Sequence, residues 1–142
     1  MTHLRDHRGA TAVEFALILP LLICVLFGIV EFSLLMYNKA VITNASREGA
    51  RVGIVAQDRS NLGLIQTQIQ NTVTAYASTH LVTFGNPTGA LEIPTPTFAG
   101  TTFGSNLTVT VRFRYGFLVL PNFVTSLANP LVLQAVTVMK LE

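Results

Sequence analysis

At 142 residues the chain has room for one ordinary domain and too little for two lobes with a catalytic cleft between them. Charged side chains make up 11% of it, against roughly 25% in an average soluble domain, while 50% is hydrophobic, which argues against a freely soluble monomer. The formal net charge of +2 gives nucleic-acid binding no support, and the single cysteine, Cys24, excludes both an internal disulfide framework and a cysteine-built metal cluster.

The chain opens on a short polar leader, residues 1–9, MTHLRDHRG, carrying Arg5 and Arg8. From Phe15 to Val30 no charged side chain occurs, and the apolar run continues to Tyr37 with Glu31 as its one interruption. The stretch from Phe15 to Tyr37, at about 1.5 Å per helical residue, measures roughly 35 Å against a hydrocarbon core of about 30 Å. Residues 10–37 therefore read as one membrane-spanning helix. A buried core helix is the alternative, but an all-round apolar segment of this length needs more chain to cover it than remains. A secretory signal has an apolar stretch of 7–15 residues and small residues at a cleavage site. Here the run ends in VEFSLLMYNK, so the helix is expected to be retained. Arg5 and Arg8 before the helix are balanced by Lys39, Arg47 and Arg51 after it, so counting charge alone leaves the topology open.

Several residues of this segment stand out. Gly9 ends the leader and, lacking a side chain, has the widest backbone freedom of any residue. Glu14 follows five residues later, read as lying in the first turn of an otherwise apolar helix; there it favours the helix dipole, yet it is costly in lipid if unpaired. Pro20 removes a backbone hydrogen bond and is expected to kink the helix. Cys24 is a small apolar filler. Glu31 sits near the outer end and reads either as a partner for a basic group or, more plainly, as an anchor reaching water.

Residues 38–142 form the outer domain. Helical character is expected to about residue 57, because Ile42, Ala45, Gly49, Val52 and Ala56 share one face. Ala45, Gly49 and Gly53 recur every four residues and leave space for another element to approach closely. Arg47, Glu48 and Arg51 lie on the opposite face, where Glu48 and Arg51 can pair; a solvated face is the plain reading and subunit contact through Arg47 and Arg51 the other. Asp58-Arg59-Ser60-Asn61 reads as a break and a new N-cap. A second helix, about 61–78, carries a stripe of Leu62, Ile65, Ile69, Val73 and Tyr76. A Gly/Pro-rich loop follows, with one edge strand at about 90–98, where Pro94 and Pro96 forbid a central position. Residues 106–116 alternate Leu107, Val109, Val111, Phe113 and Tyr115 with Thr108, Thr110, Arg112 and Arg114, the pattern of a half-buried strand. Pro121 and Pro130 bracket a connection to a last strand at about 131–141. The expected fold is α+β: a long N-terminal helix, a second amphipathic helix and a small antiparallel sheet.

Chemistry-bearing clusters are missing from this pattern. His80 is the sole histidine outside the leader, which leaves no three-histidine metal site, and Asp58 and Glu92 are the only acids between Glu48 and Glu142. Phe84-Gly85-Asn86-Pro87 lacks the lysine of a phosphate loop. Arg112 and Arg114 can touch phosphate but fit a wet strand face better. The expectation is a protein without catalytic activity, cofactor, metal or small-molecule substrate, and without a nucleic-acid partner.

The stretch RGATAVEFALILPLL, with FGIVEF and ASREGARVG after it, resembles the TadE-like family of the Flp/Tad pilus machinery, and the Gly9 to Glu14 junction resembles the class III signal of type IV prepilins and pseudopilins. The resemblance covers roughly residues 8–53 and implies a pilin-like minor pseudopilin of the bacterial inner membrane, with its N-terminus cytoplasmic and its C-terminal domain periplasmic or extracellular. It implies a processing site at Arg8, Gly9 and Ala10, cut after Gly9 by a prepilin peptidase, with Ala10 standing where ordinary type IV pilins have phenylalanine. It further implies that Glu14 pairs with the freed amine of a neighbouring subunit, and that Phe15, Pro20 and Glu31 belong to the assembling helix. The partners implied are the prepilin peptidase, TadF-like pseudopilins and membrane lipid. The alternative is an unprocessed single-pass periplasmic binding or sensor module.

Overall fold

One unbroken helix, α1 (His7–Val55), runs from the leader into the core of the outer domain; its 49 residues measure about 74 Å at 1.5 Å per residue. The structure, a computed structural model, describes residues 7–56, 59–83, 91–117 and 131–142. The first six leader residues, the break at 57–58, the loop over 84–90, the connection over 118–130 that holds Pro121 and Pro130, and the side chains of His7, Arg8 and Ala10 lie outside the described residues. Leu, Ile, Ala and Val fill the first half of α1, and its side chains from Thr11 to Phe27 are all exposed. The second half turns one face inward, burying Val41, Ile42, Ala45 and Ala50. Pro20 lies inside the helix, so the Ala16 carbonyl lacks its usual donor four residues on.

The helix α2 (Leu62–His80) starts at Asn61, whose side-chain oxygen accepts from the Leu64 N–H at 3.2 Å. Its buried stripe is Ile65, Ile69, Val73 and Ala77, the 3-4 spacing of one helix face.

Among the described residues four antiparallel strands complete the head: β1 (Leu91–Glu92), β2 (Thr97–Phe98), β3 (Asn106–Tyr115) and β4 (Leu131–Lys140). The central strand is β3. On one side β4 pairs with it along its whole length, from Asn106↔Lys140 to Tyr115↔Leu131. On the other side lie β1, opposite Phe113 and Arg112, and β2, opposite Thr108 and Leu107. The single edge strand expected over 90–98 is thus divided in two. Pro94 and Pro96 lack the N–H groups a ladder needs, and the carbonyls of Ile93 and Pro96 turn to α2, accepting from Gln70 Nε2 at 3.2 Å and Gln66 Nε2 at 2.9 Å. After β2 the chain reverses at Gly104, whose φ of +82° favours glycine.

The inner face of the sheet supplies Leu107, Val109, Val111, Phe113 and Tyr115 from β3 and Leu133 and Ala135 from β4 to a core shared with both helices. Strand and helix lie side by side, with the C-terminal end of β3 near Glu31 and its N-terminal end near Gly53.

Candidate assembly site

The residues implied in processing sit at the start of α1. The helix begins at His7, so Gly9 is helical and exposed, and Glu14 lies two turns inside; this corrects the expectation that Glu14 occupies the first turn, where the dipole favours an acid most. Glu14 and Phe15 are exposed on a helix surface that is otherwise apolar, as is Pro20. Cys24 is exposed among the same residues.

Glu31 behaves differently. It is 3% exposed, because the head folds over it, and its Oε1 accepts a 2.6 Å hydrogen bond from the Tyr115 hydroxyl. The reading of Glu31 as an anchor reaching water is therefore corrected: it is the point at which the exposed half of α1 first meets the head. Tyr115 is itself buried, with Phe113 and Phe117 packed edge-on against its ring. Burial pushes the Tyr115 phenol above its ordinary range, and the hydrogen bond to Glu31 and the nearby carboxylate raise it further. Glu31 and Tyr115 are thus a clamp between α1, where its exposed half ends, and the sheet.

Three more polar contacts continue along α1. Asn38, fully buried, donates from Nδ2 to the Val82 carbonyl and accepts the Val82 N–H at Oδ1, both at 3.0 Å, so the side-chain amide pairs with the backbone after α2 as a strand would. Lys39 Nζ donates to the Gln134 carbonyl on β4. Ser46 and Thr137 share a 2.6 Å hydroxyl contact. Beyond the helix end, Arg59 donates to the Ile54 carbonyl at 3.1 Å and to the Glu142 carbonyl at 2.6 Å, placing a cation at the C-terminus of α1.

Gly49 and Gly53 face α2. A Cβ on Gly49 would lie 2.5 Å from Val73 Cγ2 and 3.2 Å from Ile69 Cγ2, and one on Gly53 would meet Leu107 Cδ2 and Ile69 Cδ1. Ala45 is buried in the same seam. On the outer side Arg51 pairs with Glu48 at 2.9 Å in an exposed contact worth a few tenths of a kcal/mol, and Arg47 is exposed. The structure thus brings Glu31, Ala45, Gly49 and Gly53 to the inside of the head and leaves Gly9, Glu14, Phe15, Pro20, Arg47 and Arg51 outside. Tyr115, Asn38 and Arg59 were not singled out by sequence reasoning as site residues. For Tyr115 a signal existed: a tyrosine closing the buried face of a strand needs a partner for its hydroxyl.

A family model described as TadE-like protein matches residues 9–51, the whole interval from the exposed glycine through the clamp to the seam against α2. No curated protein and no solved structure matches the chain. The TadE-like segment and its long apolar helix fit a membrane protein associated with the Tad pilus, and the helix is consistent with a single-pass anchor.

Proposed function

We propose that the protein is a minor pseudopilin of TadE-like type, held in the bacterial inner membrane, trimmed after Gly9 by a prepilin peptidase and assembled through its N-terminal helix into a Flp/Tad pilus or secretion apparatus. The observation that carries this reading is the exposed first half of α1, in which one acid, Glu14, stands on an unbroken apolar surface five residues after an exposed glycine. Trimming creates an α-amine at Ala10, and the Glu14 carboxylate of a neighbouring copy is its counter-charge inside a bundle of such helices, where an unpaired acid costs a few kcal/mol. The scissile bond lies in the first turn of α1, whose N–H groups have no acceptors four residues back, so it unwinds at little cost into a protease site. The partners are the peptidase and TadF-like pseudopilins. The protein works by packing and carries out no turnover of its own.

Mass spectrometry of the N-terminus after co-expression with a prepilin peptidase tests the reading. The expected mature chain begins at Ala10; one still beginning at Met1 or Thr2 overturns it. Gly9→Val is expected to retain the leader. Glu14→Ala is expected to be trimmed normally but recovered in sheared pili or co-purified complexes at a level at least about tenfold lower, the equivalent of 1.4 kcal/mol of lost pairing. Normal recovery of Glu14→Ala would remove the pairing role.

A further inference from the structure

We infer that the base of the head rests on the bilayer itself, with Leu131 and Val132 entering the headgroup region and Arg114 taking a lipid phosphate. The inference rests on the membrane-spanning reading of α1 and adds a second membrane contact to it. From Thr11 to Val30 the helix has 20 residues, all exposed except half-buried Gly28; at 1.5 Å each they measure about 30 Å, the thickness of the hydrocarbon core. The next residue, Glu31, is already buried and bonded to Tyr115. No spacer separates membrane from head, so the head begins where the hydrocarbon ends.

The strand register carries this level across the sheet. Tyr115 is paired with Leu131, and Arg114 with Val132. Leu131 and Val132 are 39% and 50% exposed, large apolar side chains at the end of a strand where water alone gives them nothing. Arg114 is exposed beside Val132, and whereas Arg112 has Glu92 at 3.7 Å, Arg114 has no ion pair among the described residues. On the helix, Phe32, Met36 and Tyr37 stay exposed for about 10 Å beyond Val30, so apolar surface continues past the hydrocarbon into the layer of headgroups. A guanidinium on a flexible stem at that depth meets phosphate oxygens in the fork geometry it binds best.

The chain contains no tryptophan, so single tryptophans report position cleanly. Full-length Leu22→Trp, Val132→Trp and Val138→Trp variants are placed in phosphatidylglycerol nanodiscs bearing spin-labelled lipids, labelled either deep or near the headgroup. Leu22→Trp reports the span and is expected to be quenched by the deep label. Val132→Trp is expected to be blue-shifted and quenched by the shallow label. Val138→Trp, on the same face and about 20 Å farther along β4, is expected to be unquenched. Adding Arg114→Gln to Val132→Trp is expected to lower the shallow quenching at least about twofold. Val132→Trp unquenched while Leu22→Trp is quenched overturns the seat and spares the span; Leu22→Trp unquenched overturns both. Equal quenching at Val132 and Val138 means that the sheet lies flat and overturns the proposed contact, and an Arg114→Gln variant without effect overturns the phosphate assignment.

Discussion

Tyr115→Phe is expected to lower the stability of the head by about 1.5–3 kcal/mol, because it removes a buried hydrogen bond to a carboxylate acceptor. Hydrogen exchange of the β3 amides in the detergent-solubilised full chain measures it, since these amides report opening of the head rather than of the exposed helix. Combined with Glu31→Leu, the loss is expected to be less than the sum of the two single losses, because each substitution alone already removes the shared hydrogen bond. Strictly additive losses would mean that the contact carries no energy. A pH series separates the same contact by sign. Burial and Glu31 raise the Tyr115 phenol above its ordinary value of about 10, so the stability it contributes is complete below pH 10 and is lost as pH rises beyond that value. Protection of β3 is expected to fall above about pH 10 in the native chain and to fall less in Tyr115→Phe.

Gly49→Ala is the second large effect. An alanine gains about 1 kcal/mol in helix propensity over glycine, so a helix with free space at this position would be stabilised. Here the new methyl meets Val73 Cγ2 at 2.5 Å and Ile69 Cγ2 at 3.2 Å. Both atoms branch from a stiff Cβ that cannot swing aside as a leucine tip can, so overpacking of about 1–3 kcal/mol outweighs the gain. The expected result is a net loss, larger than that for Gly53→Ala, where the nearest atoms are the chain ends of Leu107 and Ile69. Val73→Ala opens the space and should recover part of the loss in the Gly49→Ala background. Thermal unfolding of the four proteins in one detergent decides it; a Gly49→Ala protein melting above the parent would contradict the packing argument.

Periodic features were readable before the fold. The α2 stripe and the β3 alternation depend only on spacing along one element, and a helix or strand with one wet face must show them. The Gly9 to Glu14 junction is a local pattern of the same kind, and both residues lie exposed on α1. Pairings between distant segments were not. Glu31 looked like an anchor because it stands near the outer end of the apolar run, where reaching water costs little; Tyr115 lies 84 residues on, and only the folded sheet brings its hydroxyl to the carboxylate. Asn38 met Val82 across 44 residues in the same way. At the edge strand the prolines were visible, but its division also needed Gln66 and Gln70, one turn apart on α2, to receive the carbonyls that the ladder gave up. The start of α1 was misjudged because the polar leader residues His7 and Arg8 extend the helix, a continuation that their polarity conceals.

The continuous course of α1 makes its exposed half and the head one mechanical part. A rotation of the helix about its own axis turns the sheet through the same angle, and a push along that axis arrives undiminished at the packing of Gly49 and Gly53. Whatever neighbour grips this axle above Pro20, where the one backbone bond is missing, holds the upper end by torque.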